Sequence, residues 1–257
     1  MDIRKMKPRN GWRTFFDEVG KIVLGVLVAL GLGVIATEIG WRVEVGRARE
    51  ALAFELGETV GQADERIKYA PCVERRLDEL AGIVEAAAIS GRIPPLGEIY
   101  GPSFRTWNRG VWDSAVSSQT ASHFPREETE AFVSLNEFVN LLQETGIREL
   151  EVWTTLYGVV GPGRAILPGE VASLREAIGK ARFLHRMISM AAIRGNQIAV
   201  AFDLIYDDAT ARDYSDRPLS SYNICKPIGA DAPKSYGQAP LRNILQRAAE
   251  NPITRIR

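Results

Sequence analysis

The sequence predicts an all-α protein: an N-terminal transmembrane helix that continues into a stalk, then an antiparallel helical bundle and an irregular C-terminal tail. The prediction rests on three observations. An uncharged apolar run lies near the start, apolar residues recur every three or four positions along most of the remaining chain, and no stretch shows a convincing β-alternation. Four segments are predicted: a basic segment (1–20), a transmembrane helix (21–41), a helical bundle (42–206) and a tail (207–257).

The composition excludes few classes of protein. The chain has 257 residues, enough for one good core or two small domains, and 46% of them are apolar. Lys plus Arg and Asp plus Glu number 32 each, so the net charge is zero. Because no global field attracts a polyanion, we expect no nucleic-acid partner.

The predicted membrane segment is residues 22–37, sixteen residues without a charge. A spanning helix needs about 20 apolar residues, and the flanks supply the difference. The charged groups of Lys21 and Glu38 can extend toward water, while Trp12 and Trp41 suit the two interfaces. We therefore expect the lipid bilayer as a partner, with Trp12, Lys21 and Trp41 as interface anchors.

The orientation follows from the charges before residue 22, where six basic residues face three acids. By the positive-inside rule the N-terminus is cytoplasmic, and the chain beyond Trp41 is periplasmic in a bacterial inner membrane. A cleaved signal peptide, cut near Ala36, is the closer alternative, and it also exports the remainder. Gly31-x-Gly33-x-x-Ala36 also matches a dinucleotide-binding fingerprint, but the βα units that it requires do not follow.

Small residues form a stripe on the predicted membrane helix. Gly25, Ala29 and Gly33 recur every fourth residue, with Thr37 next in line. Such a stripe lets a second helix approach closely, so we expect a homo-oligomer. The alternative is that the stripe only reflects how common small residues are in membrane helices.

The bundle helices are predicted from apolar periodicity. The stalk extends from Trp41 until Pro71 interrupts it, and a second helix ends near the "SGRIPPLG" loop. A third helix is predicted over 104–115, a fourth from Pro125 past Gly146 to Trp153, and a fifth over 168–206. Beyond residue 207 we expect loop, either wrapped on the bundle or partly disordered, except for a short helix over 241–249.

Cys72 and Cys225 are the only cysteines in the chain. In an oxidising compartment two thiols favour one disulfide, which would close a loop of about 150 residues. The chain-entropy estimate for such a loop is about 5 kcal/mol. Two unrelated core thiols are the alternative.

The sequence shows no motif that favours catalysis, a metal or a cofactor. His123 and His185 lack the companion ligands of metal-binding helices, and we expect His123 at a loop-to-helix junction and His185 in solvent or at an interface. Nucleophile-elbow and phosphate-loop motifs are absent. The acids Glu137, Glu144 and Glu149 are expected on helix surfaces. We therefore predict no cofactor and favour a protein that is not an enzyme.

Five side chains leave alternatives open. Asn136 and Asn140 lie one helical turn apart among apolar neighbours, where a buried amide fixes helix register or contacts a ligand; register is the favoured role. Trp107, Trp112 and Trp153 are expected in the core, with an aromatic ligand pocket as the alternative.

Two stretches resemble a loose group of uncharacterised bacterial single-pass inner-membrane proteins. "FFDEVGKIVLGVLVALGLGV" is similar to their opening, and "WDSAVSSQTASHFPREETEAFVSL" to a junction and helix further along. The likeness covers about residues 15–60 and 105–145. This chain has Gln119 where a glycine is common in the group, and Phe124 where Leu or Ile is usual. The resemblance implies an N-terminal anchor and a helical extracytoplasmic domain, not a reaction.

Together these observations predict a membrane-anchored periplasmic interaction or scaffold protein that self-associates, with an unidentified protein as a further partner. The alternative is a ligand-sensing periplasmic bundle. Only about twenty residues precede the anchor, so its signal would have to pass through a partner. An enzyme is the third hypothesis, favoured only if Glu137 or Glu144 meets His185 in a pocket.

Overall fold

The computed structural model of the protein describes residues 12–229. Their fold is all-α, as predicted, with five α-helices and one small two-stranded sheet. The helices are α1 (Trp12–Ser90), α2 (Gly110–Ser117), α3 (Arg126–Leu156), α4 (Pro168–Ala201) and α5 (Asp208–Ser215), and the strands are β1 (Arg92–Ile93) and β2 (Arg164–Ala165). Short 3₁₀ turns cover Thr120–His123, Tyr157–Val159, Leu219–Ser221 and Asn223–Cys225.

The first half of α1 is long and apolar enough to cross a membrane. Residues 15–40 are exposed on every face of the helix. The charges that flank the apolar run form ion pairs directed away from it, Lys21 with Asp17 at 2.7 Å and Glu38 with Arg42 at 3.0 Å. Within the run, the Thr37 hydroxyl donates to the Gly33 carbonyl at 2.9 Å, so this polar group is satisfied without water.

The second half of α1 is the axis of the bundle. From Trp41 to Ser90 it is about 74 Å long at ~1.5 Å per residue. The rest of the described chain passes along this half of α1 four times. With the Trp41 end of α1 taken as the bottom, the chain descends from Ser90 to His123, rises through α3, descends through α4 and rises again through α5 to residue 229. Contacts with α1 mark this path: Arg105 with Glu65, His123 with Trp41, Glu128 with Arg49, Glu149 with Arg66, Arg175 with Glu85, Asn196 with Asp64, and Lys68 with the carbonyl of Ser215.

The core fills the space between α1, α3 and α4 in three clusters. The cluster nearest the membrane segment includes Leu52, Trp112 and Phe132, and the middle one includes Ala63, Val139 and Ile188. The third is the largest and lies around Leu77 and Trp153. Apart from Trp112, these residues lie on the apolar stripes that the periodicity predicts, so the stripes face one another as expected for an antiparallel bundle.

Helix α5 packs unusually close to α1. A Cβ atom built at Gly61 would lie 2.5 Å from the carbonyl oxygen of Ala211, and one at Gly57 would lie 2.6 Å from that of Asp207. The two glycines lie one helical turn apart. Because glycine has no Cβ atom, they form a shallow groove on α1 that any larger side chain would fill. This groove fixes the start of the last ascending segment.

The prediction that Pro71 ends the stalk is wrong. Pro71 lies inside α1, which is continuous for 79 residues. An interior proline costs about 3 kcal/mol because it removes a backbone donor and crowds the preceding turn. Its neighbours compensate for that cost, since Tyr69 and Val73 are each 1% exposed or less. Tertiary packing thus overrides the local preference of the sequence.

Other predicted boundaries also need correction. The third helix begins at Gly110, because residues 101–109 run alongside α1 outside regular structure. Helix α4 ends at Ala201, not near 206, and Asp203 with φ of 50° follows its end. The tail is more regular than predicted up to Gly229, since it contains α5 and buries Tyr222 and Ile224. The helix predicted over 241–249 lies outside the described residues.

Gln119 has a left-handed backbone, with φ of 64° and ψ of 4°. Only glycine adopts this conformation without a steric cost. A glycine at this position would therefore relieve backbone strain. Phe124, which follows the same turn, is 7% exposed, and its ring centroid lies 5.5 Å from the Arg49 guanidinium carbon.

Candidate functional site

A layer of buried polar side chains crosses the bundle halfway along the second part of α1. Its α1 members occupy positions 62 to 69, where the core would otherwise be apolar. Glu65 has no exposed surface and Arg66 is 4% exposed. Buried charges of this kind must be paired and hydrogen-bonded, so the layer depends on partners from other segments.

Arg66 forms a buried ion pair with Glu149 of α3. The distance from Arg66 Nη2 to Glu149 Oε1 is 2.6 Å, and both side chains are about 5% exposed. Arg66 Nη1 also donates to the Tyr69 hydroxyl at 3.2 Å. Burial raises the pKa of the Glu149 carboxyl, and the nearby Arg66 charge opposes that rise. Glu149 is therefore a core residue, and its predicted place on the helix surface is wrong.

His185 of α4 completes this cluster, and its predicted position, in solvent or at an interface, is also wrong. It is 3% exposed, and its Nδ1 lies 3.0 Å from Arg66 Nη2. Arginine can only donate, so Nδ1 must be the acceptor and the proton of the neutral ring is on Nε2. Nε2 lies 3.9 Å from Glu74 Oε1. Burial, followed by the charges of Arg66 and Arg186, lowers the pKa of His185 to about 3.

A second ion pair, between the buried Glu65 and the half-buried Arg105, lies on the neighbouring face of α1. Arg105 donates twice to Glu65, from Nε and from Nη2, both at 2.6 Å. The Tyr222 hydroxyl donates to the same carboxylate at 3.0 Å, and Arg217 Nη1 lies 3.6 Å from it. Burial, followed by the hydrogen bond to Glu65 and the charge of that carboxylate, raises the pKa of Tyr222 to about 12. One α1 carboxylate thus connects the descending segment at Arg105 to the chain after α5.

A cavity opens between these polar side chains and the surface. Residues from α1, α3, α4 and the 101–107 segment line it, among them Gln62, Arg66, Trp107 and Trp153. Its volume is about 40 Å³. That is room for one or two water molecules, or for one small functional group.

Three polar atoms of residues around this cavity have no hydrogen-bond partner among the described residues. They are Gln62 Oε1, Arg66 Nε and Trp153 Nε1. Their side chains are 6%, 4% and 1% exposed. Because nearly all buried polar groups in folded proteins are paired, three unpaired atoms around one cavity indicate a site for a polar occupant.

The three tryptophans predicted in the core lie there, and two of them also line the cavity. Trp107, Trp112 and Trp153 are all buried, at 8% exposure or less. Trp112 belongs to the core alone, where it stacks on Phe132 at 5.4 Å between ring centroids. Trp107 and Trp153 also line the cavity, although Trp107 lies outside any helix.

The two asparagines are half-buried. Asn136 donates to the Phe132 carbonyl of its own helix at 2.9 Å, which does not connect one helix to another. Asn140 Oδ1 accepts a hydrogen bond from Arg109 and so attaches the segment before α2 to α3. Of the two, only Asn140 makes a contact of the kind that fixes packing.

The structure brings together the two cysteines. The sulfur atoms of Cys72 and Cys225 lie at disulfide-bonding distance, with 4.8 Å between the Cα atoms. They connect α1 to the segment that follows α5. Arg76 reinforces this junction, since its guanidinium donates to the carbonyls of Ile224 and Lys226.

The predicted membrane residues lie apart from the cavity. Gly25, Ala29 and Gly33 are exposed, and nothing lies within 4 Å of a Cβ built at either glycine. Trp41 is half-buried because it stacks on His123 at 4.0 Å between ring centroids, and His123 does end a 3₁₀ turn just before α3. The side chain of Trp12 lies outside the described residues.

The sequence reasoning missed Gln62, Arg66 and Arg105 as site residues. A signal was present, since Asp64, Glu65 and Arg66 are three consecutive charges between the apolar positions Ala63 and Ile67. A solvated helix face explains such a run equally well, so the pattern alone does not identify a buried layer. For residues 12–229 the structure shows no group of His, Cys, Asp and Glu side chains arranged to hold a metal ion.

Over the described residues 12–229, fold and site together define an all-α protein with one helix able to cross a membrane and with a polar cavity inside its bundle. Comparison with protein-family models, curated proteins and solved structures found no match.

Proposed function

We propose that this chain is a membrane-anchored helical interaction protein that self-associates in the bacterial inner membrane. Its N-terminus is cytoplasmic and its bundle periplasmic. One observation carries the proposal. Residues 15–40 of α1 are exposed on all faces, whereas the same helix is buried in the bundle from Val45 onward. An apolar surface of this extent is stable only when another apolar phase or chain covers it.

The geometry at Trp41 supports a bilayer as that phase. The apolar run ends with the Glu38–Arg42 ion pair, and Trp41 stacks on His123 beside it. Indole rings favour the membrane interface. The end of the bundle at Trp41 would thus lie directly on the lipid headgroups, with no flexible linker between the membrane helix and the bundle.

The cysteines support export of the bundle. Cys72 and Cys225 are 153 residues apart in the sequence, yet their sulfur atoms lie at bonding distance. Structural disulfides persist in the periplasm and are rare in the cytosol. The basic excess before residue 22 supports the same orientation.

Two exposed features support self-association. The stripe of Gly25, Ala29 and Gly33 leaves the backbone of the membrane helix open to a second helix. On α4, Phe183, Met190, Ile193 and Val200 are between 44% and 77% exposed. These four residues fall on a and d positions of a heptad, the pattern that packs against a partner helix. Parallel copies in one membrane would bring their α4 helices to the same height.

Crosslinking of the full chain in membranes tests the proposal. The double variant Gly25→Leu/Gly33→Leu should lower the yield of crosslinked dimer several-fold, because leucine keeps the backbones apart. Gly31→Leu is the matched control, since residue 31 lies on the opposite face of the same helix and is equally open. Equal dimer yields in all three proteins would remove the role of the stripe.

A ligand-sensing bundle is the second candidate function, and the cavity with its three unpaired polar atoms favours it. The enzyme hypothesis required Glu137 or Glu144 to meet His185 in a pocket, and neither glutamate does so. Glu137 and Glu144 are exposed, and Glu144 pairs with Arg148 at 4.0 Å, away from the buried His185.

A further inference from the structure

The cavity beside Arg66 has the chemistry of a binding site for a carboxylate. We propose that it holds the carboxylate group of a small organic acid whose apolar part lies in the cavity mouth. This inference concerns the inside of the bundle and is independent of the anchor and of self-association.

The unpaired atoms determine which head group fits. Arg66 Nε and Trp153 Nε1 are both donors, and neither has a partner within the described chain. Gln62 contributes an unpaired oxygen, but its amide becomes a third donor when it rotates by half a turn. Two or three donors on side chains that line one cavity match the two oxygens of a carboxylate, which binds guanidinium groups more strongly than neutral acceptors do.

Arg66 keeps one donor edge free, although the charges around the cavity are balanced. Two arginines, Arg66 and Arg105, and one acid, Glu149, line the cavity, and Glu65 pairs with Arg105. Arg66 uses Nη1 and Nη2 for its partners inside the protein, and its Nε edge is left over. An incoming carboxylate can therefore bind Arg66 without displacing Glu149.

The size of the cavity determines where the rest of the ligand must lie. About 40 Å³ accommodates a carboxylate group but not an aromatic ring. The mouth is flanked by Phe104 and Leu150, which are 45% and 47% exposed. These side chains offer an apolar contact to a short ring or branched chain. The ligand class is thus a small aromatic or branched aliphatic monocarboxylate.

Calorimetric titration of the full-length protein in mild detergent tests this inference with phenylacetate as the probe. We expect saturable binding of phenylacetate and at least tenfold weaker binding of the neutral phenylacetamide. Trp153→Phe keeps the ring and removes the N–H group, and a lost hydrogen bond to a charged group lowers affinity by about tenfold or more. Trp112→Phe is the matched control because Trp112 is equally buried but does not line the cavity.

If Trp153→Phe fails to fold, a variant at the protein surface still tests carboxylate binding in the cavity. Leu150→Glu changes a half-exposed residue at the mouth and should weaken phenylacetate binding several-fold, because it adds a like charge. The absence of saturable binding by the unaltered protein would mean that the cavity holds water only, and the proposal would be wrong. Equal affinity for phenylacetate and phenylacetamide, or for the Trp153→Phe and Trp112→Phe variants, would also overturn it.

Discussion

His185 should make the stability of the bundle sensitive to acid. Its imidazole is buried and accepts from Arg66, so a proton on Nδ1 would break that hydrogen bond and place two positive charges side by side. Burial and the neighbouring arginines lower the pKa of His185 to about 3 in the folded protein. In the unfolded chain the pKa is about 6.5.

The sign and size of the effect follow from linkage. Because the unfolded chain binds the proton more tightly, the contribution of His185 to stability is complete above pH 6.5 and is lost as the pH falls toward 3. Between pH 7.5 and pH 5 the loss is about 2 kcal/mol for this one group.

Urea unfolding of the full-length protein in mild detergent, followed by tryptophan fluorescence, measures this loss. His185→Gln is the informative variant, since glutamine can still accept from Arg66 but does not titrate. The variant should lose about 2 kcal/mol less than the unaltered protein when the pH falls from 7.5 to 5. All other titrating groups are shared, so their contributions cancel in the comparison. Equal losses in the two proteins would refute the assignment of His185 as a buried neutral acceptor.

Further predictions concern stability in the same unfolding assay. Glu149→Leu should cost about 3–5 kcal/mol because it leaves Arg66 buried without a counter-charge, and adding Arg66→Met should recover most of that loss; a double variant as unstable as the single one would contradict this. Gly61→Ala should cost about 1–3 kcal/mol by pushing α5 away, whereas the control Gly46→Ala, with open space around it, should cost nothing. Gln119→Gly should stabilise the protein by about 0.5–1 kcal/mol because it relieves a left-handed backbone, and a loss of stability would mean that the side chain matters more than the strain.

The sequence predicts the class of the fold because helical periodicity is a local signal. The stripes that contain Leu52, Leu135 and Leu174 are read directly from spacing, and all three residues are buried. Helix boundaries are harder to predict from the sequence, because they depend on packing between distant segments. Pro71 remains helical for this reason, and the stretch before Gly110 does not become helical although its apolar spacing suits a helix.

The candidate site was largely hidden in the sequence. Arg66, Glu149 and His185 lie on three different helices, and each has an ordinary explanation as a surface residue in its local sequence. Their burial emerges only when the antiparallel path brings these positions to one height along α1. The cysteine pair was easier to predict because only one pairing of two cysteines exists. The unpaired atoms of the cavity are a property of three-dimensional packing alone.

Fractionation of cells that produce the full chain with a C-terminal tag tests most directly whether lipid surrounds residues 22–37. We expect the tagged protein to stay in the membrane pellet after alkaline extraction. Protease added outside spheroplasts should then digest the bundle. Recovery of the intact protein in the soluble cytoplasmic fraction would contradict the anchor, the orientation and the exported bundle together.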